Sequence, residues 1–335
     1  MSPTLPNVVL FTLGGTIASI PTAPGQAAVP TLDASDLVAG IPGLAEHAKV
    51  RAVTYSQHAS GDLTFRAIFD LASAIRSELL SGATGVVVSQ GTDTLEESAY
   101  LLDLLLDVDE PVVLTGAMRN PGLAGADGPA NLLAAVHVAA SPQARGYGPL
   151  VVFADQIHLA RYVRKTHSSF VDTFRSPNLG PVGWVTEGVV HLPLLPRERT
   201  RPVQVNGVDV DSLPEVALIT VGMDDDLRVL EDLDARGYSA VVVEAMGGGH
   251  LPSWDVARLA NLAARMPVVF VSRTGAGQVY SATYGFPGAE KDLLRHGLTS
   301  GGVLDGVKAR VLLRLLLAAG ASRAELSHRF ATEAM

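Results

Sequence analysis

Seven short apolar runs, rich in β-branched residues, are spaced along the chain: VVLFTL (8–13), GVVVSQ (85–90), PVVLTGAM (111–118), PLVVFAD (149–155), VALITVGM (216–223), AVVVEAM (240–246) and PVVFVS (267–272). Their hydrophobicity is continuous rather than alternating, which is what strands covered on both faces need, as in parallel sheets with crossover helices. Helical patterns lie between them, among them TLEESAYLLDLLLD (94–107) and NLLAAVHVAA (131–140), whose apolar residues recur at helical spacing. The predicted class is therefore α/β. Residues 191–213, HLPLLPRERTRPVQVNGVDVDSL, are proline-rich, charged and aperiodic, and predict a linker. It separates a larger N-terminal domain over 1–190, a mainly parallel sheet flanked by helices, from a smaller C-terminal α/β domain over 214–335.

Composition narrows the chemistry. A formal net charge of −9 gives no general attraction for phosphate backbones or anionic lipid, so neither nucleic acid nor a membrane surface is an expected partner. The chain has no cysteine, which removes disulfides, thiolate metal sites and cysteine nucleophiles. The first residues, MSPTLPNVVLFTLGGTIAS, lack a basic n-region, and their apolar run breaks at Gly14-Gly15. VLLRLLLAAG (311–320) is too short to span a bilayer and is interrupted by Arg314. The expected location is cytoplasmic.

In open parallel sheets ligands collect at the carboxyl ends of strands. Two stretches after apolar runs carry hydroxyls there: LGGTIAS, with Thr16, and QGTDTLEE, with Thr92 and Asp93. Each also reads as a helix cap. Thr94 followed by Glu97 matches a capping box, so Thr94 is assigned to structure while Thr92 and Asp93 stay as candidates. Gly14-Gly15 lacks the third glycine of a dinucleotide fingerprint, and no Gly-Lys pair offers a phosphate loop. No serine sits in a G-x-S-x-G elbow and no histidines form H-E-x-x-H. A threonine nucleophile remains, and it needs a base and donors for the developing oxyanion.

With these motifs the chain resembles the bacterial-type L-asparaginase family, the threonine-dependent asparaginases and glutaminases. FTLGGTIAS (11–19) is similar to the family's first signature and VVVSQGTDTLEESAYLLDL (86–104) to its second. PVVLTGAMR (111–119), ADGPANL (126–132), RYVRKTHSSFVDTFRSPNLGPVG (161–183) and VKARVLL (307–313) follow in order. The resemblance implies hydrolysis of L-asparagine to L-aspartate and ammonia without metal or cofactor. It implies Thr16 as the nucleophile, on a mobile lid over 18–37, and a relay of Thr92, Asp93 and Lys165. It also implies that Ser60 binds the substrate α-carboxylate and Asp93 its ammonium, with Gly61, Thr92 and Ala117 among the substrate contacts. The family pattern is a homodimer or homotetramer in which His250 and Tyr284 would reach a neighbouring subunit's site.

Several positions depart from the pattern. The lid segment SIPTAPGQAAVPTLDASDL (19–37) has no tyrosine to assist Thr16, leaving Thr22, Tyr280 and Tyr284 as candidates for that role. Gly61 stands where a glutamine is common, His250 where an asparagine is usual, and RTGAGQVYSATYGF (273–286) holds no acidic residue. Two alternatives stay open: a related amidohydrolase preferring glutamine or D-asparagine, and a catalytically silent sensor of aspartate or asparagine.

Overall fold

Each of the seven apolar runs is a strand in the computed structural model, which describes residues 4–21, 26–196, 199–205 and 207–333. Two units are formed, Met1–Pro202 and Val203–Met335. The first begins with β1 (Asn7–Gly14), the paired β2 (Ser19–Pro21) and β3 (Ala28–Pro30), β4 (Lys49–His58), β5 (Gly85–Ser89) and β6 (Val112–Thr115). It continues with β7 (Pro149–Phe153), β8 (Gln156–Leu159), the paired β9 (Arg164–Lys165) and β10 (Phe174–Arg175), β11 (Gly183–Thr186) and β12 (Val189–His191).

Eight of these strands make one sheet in the order β12-β11-β8-β7-β6-β5-β1-β4, parallel from β4 to β7 and antiparallel beyond. β4 is absent from the apolar runs for a physical reason. As an edge strand it mixes Lys49, Arg51, Thr54 and Gln57 with Val50 and Val53, and none of its residues is fully buried. The strand order reverses at β1, because the chain crosses from β1 to β4 on one side and returns to β5 on the other. A switch point of this kind opens a crevice at the carboxyl ends of the strands.

Alternation along the strands divides the core. Val8, Leu10, Val87, Val113, Leu150 and Val152 face the helix Gly128–Ala140, which buries Leu132, Ala135, Val136 and Val138 among them. The short helices Ala34–Ala39 and Leu44–His47, between β1 and β4, bury Leu37 and Leu44 on this same face. Helices Phe65–Leu80 and Leu95–Leu105 pack on each other and cover the opposite face. The connections β4–β5, β5–β6 and β6–β7 all step in one direction across the sheet, yet only the last crosses on the Gly128–Ala140 face. Its hand is therefore opposite to that of the others, a departure from the strong single-hand rule for such crossovers. The reversal brings the start of that helix to the switch point, where a Cβ on Gly128 would lie 2.9 Å from Ile17 Cγ1 and 3.4 Å from Ala117 Cβ.

The second unit is built on β13 (Glu215–Thr220), β14 (Tyr238–Ala245), β15 (Val268–Ser272) and β16 (Thr299–Ser300), parallel and in sequential order. Helix Val256–Arg265 buries Leu259 and Leu262 in one cluster with Val241, Val243 and Phe270, and helix Gly306–Ala318 packs on β13 and β14.

Two features of the first unit set the geometry of the crevice. At the end of β1, Gly14 and Gly15 both have positive φ, and a Cβ on Gly15 would fall 2.2 Å from both Cα and N of Gly91. The loops after β1 and β5 thus touch through bare backbone. The second is an anchor under the β9–β10 ribbon: His158 on β8 is fully buried, with Nδ1 3.0 Å from Oγ of Ser176, the residue after β10. Its Nε2 is buried without a hydrogen-bond partner among the described residues. Burial, with the charge of Arg175 acting in the same sense, pushes the imidazole pKa down to about 4.

Gly15 has φ 80 and ψ −171, a region that only glycine occupies at ease, so Gly15→Ala adds strain to collision and should cost about 3 kcal/mol or more. Gly43→Ala, at φ +76 but with nothing within 4 Å of the new Cβ, should cost only about 1–2 kcal/mol. Urea unfolding of both variants measures the difference. For His158, the unfolded chain binds a proton from the ordinary value of 6.5 downward, whereas the folded chain refuses it until about 4. Its contribution to stability is therefore complete above that ordinary value and falls with pH through the window, by roughly 3 kcal/mol in all. His158→Gln should flatten this part of the stability profile, as read from unfolding free energies measured across the same pH range.

Candidate active site

Four loops and one ribbon converge on the switch point. After β1 the chain turns through Gly15 into a single helical turn, Thr16–Ala18, in which Thr16 is partly buried and Ile17 fully so. The turn is held by two bonds: Gly15 N–H donates to the His58 carbonyl at 3.1 Å, and Ser19 Oγ donates to the Gly15 carbonyl at 2.7 Å. Of the expected lid, β2 and β3 form an antiparallel pair, and Asp33 and Asp36 make a reciprocal capping box at helix Ala34–Ala39. Thr22 lies outside the described residues.

After β5 the chain enters a second helical turn, Thr92–Thr94, which buries Thr92 and leaves Asp93 exposed. A Cβ on Gly91 would lie 2.8 Å from Ser60 Cβ, so this glycine also admits the turn Ser60–Asp62 that follows β4. Ser60, buried, ties the two loops together. Its Oγ accepts the Asp93 N–H at 3.2 Å, and its carbonyl accepts the Thr94 hydroxyl at 2.9 Å. The capping box expected at Thr94 and Glu97 does not form: Thr94 makes no side-chain cap bond, because its hydroxyl is committed to Ser60. Beside Ser60, a Cβ on Gly61 would meet nothing within 4 Å.

Lys165 comes from the β9–β10 ribbon. Its Nζ donates to Thr92 Oγ1 at 2.9 Å and to Asp93 Oδ1 at 2.6 Å. The lysine side chain is 16% exposed against 75% for Asp93, so a largely sheltered cation meets a carboxylate open to solvent. A hydroxyl that accepts from an ammonium keeps its own proton to donate elsewhere. The loop after β6 supplies buried Ala117. Asp127 fixes that loop by accepting the Met118 and Arg119 N–H groups, and Asn131 Nδ2 donates to the Gly116 carbonyl.

The structure thus links Ser60, Thr92, Asp93 and Lys165 by hydrogen bonds, and sets Thr16 and Ala117 beside them through the backbone contact of Gly15 with Gly91 and the close approach of Gly128 to the Ile17 and Ala117 side chains. His250, Tyr280 and Tyr284 belong to the second unit, where they gather among themselves. The His250 ring meets Tyr284 and Phe286 edge-on, each with centroids 5.3 Å apart, and Tyr280 lies against Tyr284. Residues 273–286 hold no acid, but a fully buried one lies under them. Glu290 accepts the Thr283 and Tyr284 N–H groups at 2.7 and 2.5 Å, and its Oε2 is 3.4 Å from His250 Nε2, an ion pair whenever the imidazole is protonated. Burial opposes ionisation of Glu290, but the amides of Tyr284, Glu290 and Thr283, together with His250, outweigh it and hold the carboxyl below its ordinary value. Nothing in the spacing of Glu290 marks it. Among the described residues no group of three His, Cys, Asp or Glu side chains is arranged to hold a metal ion, and no helix is long and apolar enough to cross a membrane.

The chain is similar to known proteins over both units. Residues 7–196 match the family model "Asparaginase, N-terminal", and residues 215–330 match "Glutaminase/Asparaginase C-terminal domain". A probable L-asparaginase of Deinococcus radiodurans is 36% identical over 98% of both chains. A probable periplasmic L-asparaginase of Haemophilus influenzae is 35% identical over 93% of this chain and 89% of its own. Among solved structures, a probable cytoplasmic L-asparaginase of Campylobacter jejuni superposes with a TM-score of 0.88 at 31% identity, covering 97% of this chain and 99% of that one. The matches span both units and include the loops that meet at the switch point, and the chain belongs to the asparaginase family.

Proposed function

We propose that this protein is an L-asparaginase that hydrolyses L-asparagine to L-aspartate and ammonia, with Thr16 as nucleophile. The observation that carries the reading is the pair of hydrogen bonds that Lys165 Nζ donates to Thr92 Oγ1 and Asp93 Oδ1, on a loop packed directly against the one that holds Thr16.

In this mechanism Ser60 receives the substrate α-carboxylate and the exposed Asp93 carboxylate receives its ammonium, with Gly61 and Ala117 as further contacts. Thr16 Oγ1 attacks the side-chain amide carbon as its hydroxyl proton passes to solvent. The amide nitrogen takes a proton through Thr92 from Lys165, leaves as ammonia, and a β-acyl ester remains on Thr16. Water then adds to the ester carbon, passing one proton back through Thr92 to Lys165 and one to Thr16 as the bond between the acyl carbon and Thr16 Oγ1 breaks, and aspartate is released. The substrate's ammonium competes with Lys165 for the Asp93 carboxylate, which eases transfer of the lysine proton. Removal of either hydroxyl strips a reacting group and leaves the backbone contacts intact. Thr16→Ala and Thr92→Ala should each lower kcat by about 10³-fold or more while the melting temperature stays close to that of the parent. Ammonia release from L-asparagine, L-glutamine and D-asparagine, measured side by side, checks both the loss and the substrate. Wild-type turnover in either variant sinks the mechanism, and faster release from one of the other amides moves the assignment to that substrate.

The protein works in the cytoplasm in this reading, as the Campylobacter relative is described to do, and cell fractionation tests it. It assembles as a homodimer or homotetramer in which His250 and Tyr284 complete a neighbouring subunit's site. The exposed cluster of Tyr280, Tyr284 and Phe286 around His250 supports this role. Sedimentation should return an oligomer, and His250→Ala should raise KM for L-asparagine about 10-fold with a smaller change in kcat; a monomer with full activity overturns it.

A further inference from the structure

Lys165 stands on a strand of two residues that pairs, among the described residues, with Phe174 and Arg175, and the pairing runs one residue further through the Thr166 N–H bond to the Thr173 carbonyl. A ribbon this short is a weak platform for a long side chain whose amine must meet two acceptors at once. Its main chain, however, is gripped from outside: the Lys165 N–H donates to Glu96 Oε2 at 2.9 Å. Glu96 lies in the first turn of helix Leu95–Leu105, three residues beyond Asp93. One rigid segment therefore carries the two acceptors of the lysine amine and also holds the backbone from which that lysine springs. A carboxylate acceptor makes this bond stronger than a neutral one. Movement of the ribbon by about 1 Å would take the amine out of bonding range of Thr92, a misplacement of the size that costs up to about 100-fold in rate.

We propose that Glu96 is a positioning residue for proton transfer, clamping the Lys165 main chain so that its amine engages Thr92 and Asp93 together. The proposal rests on the relay reading given above. The competing description is of an acid in a first helical turn that merely favours the helix dipole and contributes nothing to turnover.

The two descriptions part in the double-mutant cycle with Lys165. On the clamp reading, Glu96→Ala lowers kcat about 10- to 100-fold with KM little changed, and Glu96→Gln, which keeps an acceptor oxygen, recovers most of the loss. Glu96→Ala then adds no further loss to Lys165→Met, because its effect passes through the missing amine. Hydrogen exchange of the Lys165 amide should speed up in Glu96→Ala and return toward the parental rate in Glu96→Gln. Full turnover in Glu96→Ala, equal loss in the Ala and Gln variants, or losses that multiply in the double mutant would each overturn the proposal. If Lys165→Met itself turns over normally, the relay reading fails and the clamp's catalytic role falls with it, even where the exchange data report the clamp; if only Glu96→Ala is normal, the relay stands and the clamp does not.

Discussion

Gly15 and Gly91 lie against each other with no side chain between them, and the crevice at the switch point takes its form from that contact. A β-carbon on either residue would have to share space with backbone or with Ser60, and backbone cannot retreat without pulling β1 or β5 out of register. The contact therefore transmits the order of a buried parallel sheet directly to Thr16 on one side and Thr92 on the other. Side-chain packing would leave both hydroxyls more freedom. The reversed crossover into helix Gly128–Ala140 works in the same sense, because Gly128 closes the far wall against Ile17 and Ala117.

Polar groups then lock what the backbone brings together. Ser60 uses its hydroxyl and its carbonyl on the Asp93 N–H and the Thr94 hydroxyl, so the loops after β4 and β5 move as one. Lys165, delivered by a ribbon of little intrinsic stability, is tied at its amine to Thr92 and Asp93, at its amide to Glu96, and through Ser176 to the buried imidazole of His158. Asp127 and Asn131 do the same for the loop that carries Ala117. Each of these bonds is modest alone, and their convergence on a few residues is what fixes the geometry.

In the second unit the logic is inverted. Aromatic rings stand at the surface over a carboxylate that has no solvent exposure, and backbone amides of the overlying loop keep that carboxylate ionisable. The loop is thereby shaped by Glu290, four residues beyond its end, although the loop itself contains no acid.

The α/β class and the positions of the central strands could be read directly from the sequence, because strands buried on both faces have no choice but continuous hydrophobicity. Thr16, Thr92, Asp93 and Lys165 were legible through motif resemblance, and the two threonines also through their place after apolar runs. The edge strand β4 left no such trace, since a strand half in solvent carries lysine and arginine as readily as valine. Thr94 looked like a cap because a hydroxyl three residues before a glutamate is the usual signature of one. The Ser60 carbonyl that claims it is 34 residues away in the chain. Glu96 and Glu290 were indistinguishable from solvated acids. What the sequence by itself determined was which segments must be buried and which reactive residue types stand at their ends. The pairing of those ends belongs to the tertiary structure, because strand order, a reversed crossover and contacts between glycines distant in the chain decide which loops meet, and no local pattern encodes a neighbour that far away.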